Sequence, residues 1–318
     1  MSATLAFVFP GQGSQQVGML RELADRYSVV RTTFDEASDA LGFDLWKVTQ
    51  EGSAEALNAT ATTQPALLTA SVAVWRVWQE LEGVRPAVLA GHSLGEYSAM
   101  VCGGAMGFAD GVRLVRLRGE YMQAAVAEGK GAMAAILGLE DEKVEALCAE
   151  AAQGEVVAAV NYNSPGQVVI AGDKAAVNRA VSLCSDAGAK RAVMLSVSVP
   201  SHCSLMLPAA EKLAAAMDYI ALKPTRYPVI QNVDAAAHDD VETLKARLLQ
   251  QLYSPVRWSD SVSRMVDQGI TTLVECGPGK VLSGLAKRIN RRLKGVSVND
   301  PDTLSAALAL TSETGDKE

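Results

Sequence analysis

The chain has 318 residues, of which 49% are hydrophobic, and its 29 basic and 36 acidic residues give a net charge of -7 at pH 7. This length and hydrophobic fraction predict a soluble, enzyme-sized protein of one large domain or two smaller ones. The excess of acidic residues argues against a nucleic-acid-binding surface. Five cysteines without a Cys-x-x-Cys pair indicate neither a disulfide framework nor a zinc site, which fits a reducing cytoplasm.

The sequence predicts no membrane or targeting segment. No stretch approaches the roughly 18 apolar residues of a membrane span. The first ten residues lack the basic region of a signal peptide. We therefore expect a cytoplasmic protein that contacts no membrane.

The first part of the chain alternates predicted strands with predicted helices. An apolar run over 5–9 predicts a buried parallel strand, and the loop at 11–15 is no dinucleotide fingerprint, because Gln16 replaces the third glycine. Apolar periodicity then predicts helices at about 18–41 and 64–82, a strand at 86–90, and helices near 94–103 and 109–126. This alternation predicts a parallel sheet covered by helices on both faces.

A glycine-rich break at 128–131 begins a second unit with its own order of elements. The pattern predicts strand, helix, strand, strand, helix and strand at 132–137, 141–152, 156–161, 167–171, 173–187 and 192–197. This βαββαβ order is that of a ferredoxin-like unit. We therefore predict a small ferredoxin-like domain over 129–198, inserted in a large α/β domain formed by 1–128 and 199–318.

The last part of the chain is predicted to return to the large domain. Helices are predicted near 202–217 and 240–252, followed by a buried strand over 272–275, a turn at 277–279 and a basic helix over about 280–293. Residues after about 311 are polar, and we expect them to be frayed.

The most informative motif is Gly91-His92-Ser93-Leu94-Gly95, which follows a predicted strand and precedes a predicted helix. This order is that of a nucleophile elbow, a strained turn that exposes a serine hydroxyl and needs small flanking residues. The motif makes Ser93 a candidate nucleophile and makes the large domain α/β-hydrolase-like. The alternative is that Ser93 only caps the following helix.

A serine nucleophile needs a nearby base, and the chain contains three histidines. We expect the His92 side chain to point away from Ser93 across the turn, and His238 to be solvated in a polar loop. His202 remains as the base, because Ser201 can cap a new helix there and a helix N-terminus favours the neutral imidazole. The alternative is a histidine near a helix cap without a catalytic role.

A triad would add a carboxylate between the serine and the histidine in the chain. Acidic residues such as Asp173 and Asp186 fall inside the inserted unit, at the starts or ends of its helices. We therefore predict a dyad of Ser93 and His202, in which a backbone or amide carbonyl orients the histidine.

Arg118 stands inside an apolar stripe of the helix predicted over 109–126, where its neighbours one turn away include Leu114 and Met122. A buried guanidinium requires a carboxylate partner. From the residues alone, that carboxylate belongs either to the protein, in a structural ion pair, or to a substrate.

Seven stretches resemble, in chain order, signatures of the bacterial malonyl-CoA:acyl carrier protein transacylases. They are Phe9-Pro10-Gly11-Gln12-Gly13-Ser14-Gln15, Thr63-Gln64-Pro65-Ala66, Gly91 to Tyr97, the Arg118 helix, Asn161 to Gln167, Val199-Pro200-Ser201-His202 and Gly277-Pro278-Gly279. The resemblance extends from about residue 5 to about residue 310.

The resemblance implies roles for the catalytic residues. In that family the serine of the GHSLG motif is acylated and the histidine of the PSH motif is its base, which implies these roles for Ser93 and His202. Two backbone N–H groups of the family form an oxyanion hole, which implies that role for Gln12 and Leu94. The main-chain carbonyl of a glutamine in a QLY segment orients the histidine, which implies that role for Gln251.

The resemblance also implies a substrate and a reaction. The family's helix arginine holds the malonyl carboxylate, which implies substrate binding by Arg118 and the neighbouring Gln64. The implied reaction is ping-pong transfer of a malonyl group from malonyl-CoA to the phosphopantetheine thiol of acyl carrier protein, through a malonyl-serine intermediate, for fatty acid elongation. No metal or other cofactor is implied. The alternatives are a serine hydrolase or thioesterase acting on acyl-CoA, and a non-catalytic carrier-protein docking module.

An acidic carrier protein requires basic contacts on this acidic chain. Two clusters are candidates for carrier-protein or CoA contacts: Lys190 with Arg191 at the edge of the small domain, and Lys287 with Arg288 on the basic helix. Arg291 and Arg292 extend the second cluster, whose alternative is a solvated helix face.

Overall fold

The structure, a computed structural model, describes residues 4–197 and 199–315. The strands are β1 (Leu5–Phe9), β2 (Val88–Gly91), β3 (Gly131–Leu137), β4 (Val157–Ser164), β5 (Gln167–Asp173), β6 (Arg191–Met194), β7 (Val229–Ile230), β8 (Thr272–Cys276) and β9 (Lys294–Val298). The helices are α1 (Arg21–Arg26), α2 (Ser28–Leu41), α3 (Leu45–Glu51), α4 (Ala54–Asn58), α5 (Thr60–Glu80), α6 (Leu94–Cys102), α7 (Phe108–Ala125), α8 (Asp141–Ala152), α9 (Lys174–Asp186), α10 (Leu207–Met217), α11 (Val241–Gln250), α12 (Trp258–Asp267), α13 (Val281–Ile289) and α14 (Pro301–Gly315). In the described ranges, no helix combines the length and the apolar character needed to cross a membrane.

Five strands form a parallel sheet in the order β7-β2-β1-β8-β9. Phe9 of β1 lies beside Gly91 of β2, and Val8 of β1 lies beside Glu275 of β8. The carboxyl ends of these strands therefore meet at one edge, where the loops carrying Gln12 and Ser93 leave the sheet. In open α/β sheets this edge is where ligands bind.

The side chains of β1 alternate between two hydrophobic cores. Phe7 packs edge-on against Trp75 and Trp78 of α5, with ring centroids 5.3 and 5.1 Å apart. Val8 points to the opposite face, into a cluster with Trp258 of α12 and residues of α13. Helices thus cover both faces of the parallel sheet, and the sequence-based prediction of such a sheet is confirmed.

Four strands form a separate antiparallel sheet in the order β4-β5-β3-β6. One face packs on α8 and α9 through a cluster that includes Ile136 of β3. The other face, which includes Met133 and Val169, packs against Cys203. The small sheet therefore lies directly over the segment that carries His202.

Several predicted elements differ from the observed ones. The helix predicted at 18–41 is two helices, because Tyr27 is extended between α1 and α2. Helix α5 begins at Thr60, so Gln64 lies inside it rather than at its start. The strand predicted at 192–197 is β6, which ends at Met194.

Six elements, α3, α4, α12, α14, β7 and β9, were not predicted from the sequence. Strand β7 has two residues and β9 is a partly exposed edge strand, so neither carries a clear apolar pattern. The end of the chain, predicted to fray after residue 311, is helical through Gly315. Residues 316–318 and the predicted domain boundary at residue 198 lie outside the described residues.

Candidate active site

Ser93 lies in the turn between β2 and α6 and has the strained backbone of a nucleophile elbow. Its φ of 53° and ψ of -109° form a conformation that a residue with a Cβ rarely adopts. The two flanking glycines are required by close contact. A Cβ on Gly91 would collide with the backbone of Gly95, and a Cβ on Gly95 would collide with the carbonyl of Phe9.

Replacing Gly95 with alanine is expected to lower the free energy of unfolding by about 2 kcal/mol or more, because the new methyl group meets backbone atoms. The matched control is Gly284→Ala on the exposed side of α13, where a Cβ meets open space. For this control we expect a gain of up to about 1 kcal/mol, since alanine favours a helix. Urea unfolding measures both changes, and equal stabilities of the two variants would contradict a steric clash at Gly95.

The hydroxyl of Ser93 meets His202, which lies 109 positions away in the chain. The distance from Ser93 Oγ to His202 Nε2 is 2.7 Å. Within the described residues, the Ser93 side chain makes no capping hydrogen bond to α6, so its alternative role as a helix cap has no support. Serine and histidine are therefore placed as a nucleophile and its base require.

The main-chain carbonyl of Gln251 orients the imidazole of His202. His202 Nδ1 lies 2.7 Å from that carbonyl oxygen, which can only accept a hydrogen bond. Nδ1 therefore carries the proton, and Nε2 is free to accept one from Ser93. Asp173 does not take part, since its carboxylate accepts a hydrogen bond from the backbone of Val156.

The surroundings of His202 keep its imidazole neutral. Burial lowers its pKa most, the Arg118 guanidinium lowers it further, and the hydrogen bond to Gln251 raises it, so that the pKa is about 3. The helix N-terminus expected at this position is wrong, because His202 has a φ of 66° and precedes a short 3-10 turn at 204–206 and α10. Since the pKa lies far below 7, His202 can accept a proton at neutral pH.

Arg118 of α7 points from the protein interior toward Ser93, and only 2% of its surface is exposed. Its Nη1 donates a hydrogen bond to Gln64 Oε1 at 2.8 Å. Its Nη2 donates to Gln251 Oε1 at 3.0 Å and lies 3.4 Å from Ser93 Oγ. The guanidinium also lies over the ring of Tyr97, 5.2 Å from its centroid.

Arg118 has no direct ion-pair partner among residues 4–197 and 199–315. Its Nε is buried and makes no hydrogen bond to any described residue. The structural ion pair, one of the two alternatives for Arg118, is therefore wrong. A buried cation without a counterion is costly, and a carboxylate delivered by a ligand would supply one next to the Ser93 hydroxyl.

Five of the predicted site residues line a cavity of about 540 Å³ between the large and small sheets, whereas Gln64 and Gln251 are not among its lining residues. Ser93, His202, Arg118, Gln12 and Leu94 all line it. In the described part of the chain, the backbone N–H groups of Gln12 and Leu94 donate no hydrogen bond. They are thus available to an oxyanion formed at this position.

Neither of the two other histidines hydrogen-bonds to the Ser93 hydroxyl in the described structure, although His92 also lines the cavity. His92 Nε2 is 2.8 Å from Asn163 Oδ1, so its side chain reaches the small sheet and does not interact with Ser93, as predicted. His238 was expected to be solvated, which is wrong. It is partly buried and pairs with the Asp234 carboxylate at 2.9 Å.

Asn232 belongs to the site although no sequence pattern indicated it. Its Nδ2 donates to the carbonyl of Gly91 at 2.7 Å, and its Oδ1 accepts from the Ser93 backbone N–H at 2.8 Å. Asn232 thus holds both sides of the strained turn. Asn232 follows strand β7, and a strand of two residues gives no sequence pattern from which a site could be predicted.

Comparison with known proteins decides the family. Residues 6–300 match the acyl transferase domain family. The malonyl CoA-acyl carrier protein transacylase of Salmonella typhimurium is 58% identical over 303 residues, which cover 95% of this chain and 98% of that protein. The protein of the same name from Bacillus subtilis is 47% identical over 313 residues, 98% of each chain. This chain belongs to the malonyl CoA-acyl carrier protein transacylase family.

Solved structures of the transacylase family share the fold. An acyl carrier protein S-malonyltransferase from Vibrio cholerae is 59% identical, with a TM-score of 0.94 over 96% of this chain and 99% of that one. The malonyl-transacylase bound to a type II PKS acyl-carrier protein in the PlMCAT:AntF complex gives 54% identity and a TM-score of 0.96, over 97% of this chain and 100% of the matched chain. The resemblance seen in the sequence and the prediction of an acyltransferase are both confirmed.

Proposed function

We propose that this protein transfers the malonyl group of malonyl-CoA to the phosphopantetheine thiol of acyl carrier protein, through a malonyl ester on Ser93. The observation that carries the proposal is the guanidinium of Arg118, which has no ion-pair partner in the part of the chain that the structure describes and lies 3.4 Å from the candidate nucleophile inside a cavity. A dicarboxylic acyl group places its free carboxylate on this guanidinium and its thioester carbonyl at the serine.

The first half-reaction forms the acyl-enzyme. Ser93 Oγ attacks the thioester carbonyl carbon while its proton passes to His202 Nε2. The N–H groups of Gln12 and Leu94 stabilise the tetrahedral oxyanion, each by roughly 3 kcal/mol in the transition state. The carbon–sulfur bond then breaks, and His202 returns the proton to the departing CoA thiolate.

The second half-reaction reverses these steps with a new thiol. His202 takes the proton of the phosphopantetheine thiol, and the sulfur attacks the malonyl ester carbonyl. The bond to Ser93 Oγ breaks, and His202 gives the proton back to that oxygen. We propose that no metal or other cofactor takes part, because the dyad, the oxyanion donors and Arg118 supply each group these steps require.

Two other functions would use only some of the same residues. A thioesterase or hydrolase for neutral acyl chains would not need a buried cation beside its nucleophile, and Arg118 therefore favours a dicarboxylic substrate. A docking module without turnover would not need the contacts between Ser93, His202 and Gln251. The transferase is the function that uses all of these features.

We also propose the finer description of the fold. The large sheet with its serine elbow supports an α/β-hydrolase-like domain over 1–128 and 199–318. The antiparallel order β4-β5-β3-β6, with α8 and α9 on one face, supports a ferredoxin-like domain over 129–198. A cytoplasmic location stays a prediction from the sequence.

Mixing the protein with malonyl-CoA and no acceptor is expected to add one malonyl group to the peptide that contains Ser93. The ester should persist, since a site that lacks productive water leaves it waiting for a thiol. Mass spectrometry of the intact protein and of its peptides measures the adduct. Adding phosphopantetheine-bearing acyl carrier protein should discharge it, with malonyl appearing on the carrier. Hydrolysis at the same rate with and without a thiol acceptor would show that the protein is a hydrolase.

The two predicted basic clusters lie at the same end of the small sheet. Leu137 of β3 lies between Gln167 of β5 and Arg191 of β6, and Arg288 Nη1 donates to Gln167 Oε1 at 2.6 Å. Met133, which lines the cavity, stands four residues before Leu137 on β3, about 13 Å away at the usual rise of a strand. A carrier protein docked at this end of the small sheet can extend its phosphopantetheine group along β3 to Ser93.

Not every predicted basic residue lies on the expected helix. The helix predicted at 280–293 ends at Ile289, so Arg291 and Arg292 lie in the turn before β9. Lys287 and Arg288 remain on the last turn of α13, and both are exposed. We propose these two, with Lys190 and Arg191, as the contacts to the acidic carrier protein.

Reversing the charge of Lys190 and Arg191 together is expected to slow discharge of the malonyl-enzyme by about 10-fold at low salt, because rim charges act mainly on association with a charged partner. Acylation by malonyl-CoA should stay near the wild-type rate. The control reverses the exposed Arg26 and Arg31, on α1 and α2, and changes the net charge equally. Rapid-quench kinetics of both half-reactions measure the effect. Equal slowing by the two double variants would contradict local docking.

A further inference from the structure

Glu96 is a fully buried carboxylate that the steps above do not use. It lies in the first turn of α6, three residues after Ser93, and none of its surface is exposed. Three donors converge on it: Gln231 Nε2 at 3.2 Å, the Asn232 backbone N–H at 2.9 Å and Gln251 Nε2 at 2.9 Å. These three donors satisfy the oxygens of the Glu96 carboxyl group, so hydrogen bonds fix the buried side chain beside the site.

Glu96 determines which way the side-chain amide of Gln251 faces. The amide nitrogen of Gln251 donates to Glu96 Oε2 and to the Ser93 carbonyl, both at 2.9 Å. Its oxygen is thereby directed to Arg118 Nη2, 3.0 Å away. If the Gln251 amide were rotated by about 180°, its oxygen would face the Glu96 carboxylate and its NH₂ group would face the Arg118 guanidinium. Both contacts would be repulsive, because the first pairs two acceptors and the second pairs two donors.

The amide of Gln251 in turn positions the guanidinium of Arg118. Arg118 Nη1 and Nη2 are held by two amide oxygens, those of Gln64 and Gln251, and by no carboxylate in the described part of the chain. These neutral acceptors fix the plane of the guanidinium without neutralising it. The charge of Arg118 remains available to a ligand only while both amides present their oxygens to it.

Burial raises the pKa of Glu96 most, the hydrogen bonds from Gln251, Asn232 and Gln231 and the charge of Arg118 lower it, and the resulting pKa is about 7. The position at the N-terminal turn of α6 also favours a negative charge. At neutral pH Glu96 is therefore partly ionised, and in the described structure it forms no direct ion pair with Arg118 that would block a substrate carboxylate.

We propose that Glu96 is a positioning residue that, through the amide of Gln251, aims Arg118 at the free carboxylate of the acyl group and so sets the preference for malonyl over neutral acyl groups. This inference rests on the proposed function. It assigns a specificity role to a residue that touches neither the reacting atoms nor the substrate carboxylate.

The test compares malonyl-CoA and acetyl-CoA as donors for Glu96→Leu, with Glu275→Leu as the matched control. Glu275 is also fully buried, and it accepts hydrogen bonds from Leu282 and Ser283 at the start of α13. Loss of either carboxylate leaves buried donors unpaired, so both variants should be less stable. In Glu96→Leu alone, the ratio of kcat/KM for malonyl-CoA to that for acetyl-CoA should fall about 10-fold, mainly through a higher KM for malonyl-CoA.

Two further variants keep the test decisive if Glu96→Leu does not fold. Glu96→Gln retains an acceptor oxygen toward Gln251 and should keep the donor ratio within about 3-fold of wild type. Gln251→Leu removes the amide but keeps the main-chain carbonyl that holds His202, and it should lower the donor ratio. Where Glu96→Leu folds, adding it to Gln251→Leu should lower the ratio no further, since both act through one contact.

The outcomes separate this inference from the function on which it rests. Equal losses with both donors in Glu96→Leu, or an unchanged donor ratio in Gln251→Leu, would overturn the positioning role alone. A wild-type protein that transfers acetyl as well as malonyl would overturn this inference by removing the preference it explains, whereas a wild-type protein that transfers no malonyl would overturn the proposed function itself. A ratio that falls as much in Glu275→Leu would show that Glu96 acts only through stability.

Discussion

Ser93→Ala is expected to reduce malonyl transfer to less than about 10⁻⁴ of the wild-type rate, and His202→Ala is expected to come within a similar range. The first variant lacks the atom that forms the ester, and the second lacks the base 2.7 Å from it. Because the two side chains act as one unit, the double variant should be little slower than either single variant. Transfer of labelled malonyl from CoA to acyl carrier protein measures all three.

Two variants serve as controls for Ser93→Ala and His202→Ala. Ser98→Ala removes another buried hydroxyl of α6, one that makes no hydrogen bond in the described structure. His238→Ala removes the histidine that pairs with Asp234 away from the cavity. Both controls should transfer malonyl at rates near wild type. Transfer by Ser93→Ala at a comparable rate would contradict the assignment of the nucleophile.

Arg118→Ala is expected to lower kcat/KM for malonyl-CoA far more than for acetyl-CoA. The interaction of a desolvated guanidinium with a carboxylate is worth about 2 to 5 kcal/mol, which corresponds to a loss of about 30- to 5,000-fold. Acetyl-CoA has no carboxylate to lose, so its transfer should change little in comparison. Steady-state kinetics with the two donors, at one acyl carrier protein concentration, give the ratio.

Arg113→Ala is the matched control for Arg118. Arg113 lies on the same helix, half exposed, in an ion pair with Asp110. Its loss should leave the donor ratio unchanged, since an exposed pair contributes little. Equal losses with malonyl-CoA and acetyl-CoA in Arg118→Ala would show that the arginine has a structural role. Thermal unfolding of each variant identifies any loss of fold.

Local patterns in the sequence predicted the parts of the site that depend on neighbouring residues. The elbow at Ser93 could be predicted because its strain is relieved by the adjacent Gly91 and Gly95. The parallel sheet followed from strands and helices that alternate over short distances. Arg118 could be singled out because its neighbours at helical spacing are apolar.

Two of the elements that escaped prediction, β7 and β9, have weak local signals. Strand β7 contains two residues, and β9 lies at a sheet edge with little apolar pattern. Tyr27 interrupts the helix predicted at 18–41 without a glycine or proline to mark the break. His202 was placed at a helix start, whereas burial beneath the small sheet is the main reason for its lowered pKa.

The sequence by itself determined the nucleophile turn, the α/β class and the presence of one arginine among apolar neighbours, because each depends on residues within a few turns of chain. Only the tertiary structure decided that Arg118 has no ion pair within residues 4–197 and 199–315, that the carbonyl of Gln251 faces His202, and that Glu96 holds the Gln251 amide. These contacts join residues 49 to 155 positions apart. Hydrogen bonds act over about 3 Å, so no spacing along the chain indicates which distant groups will meet.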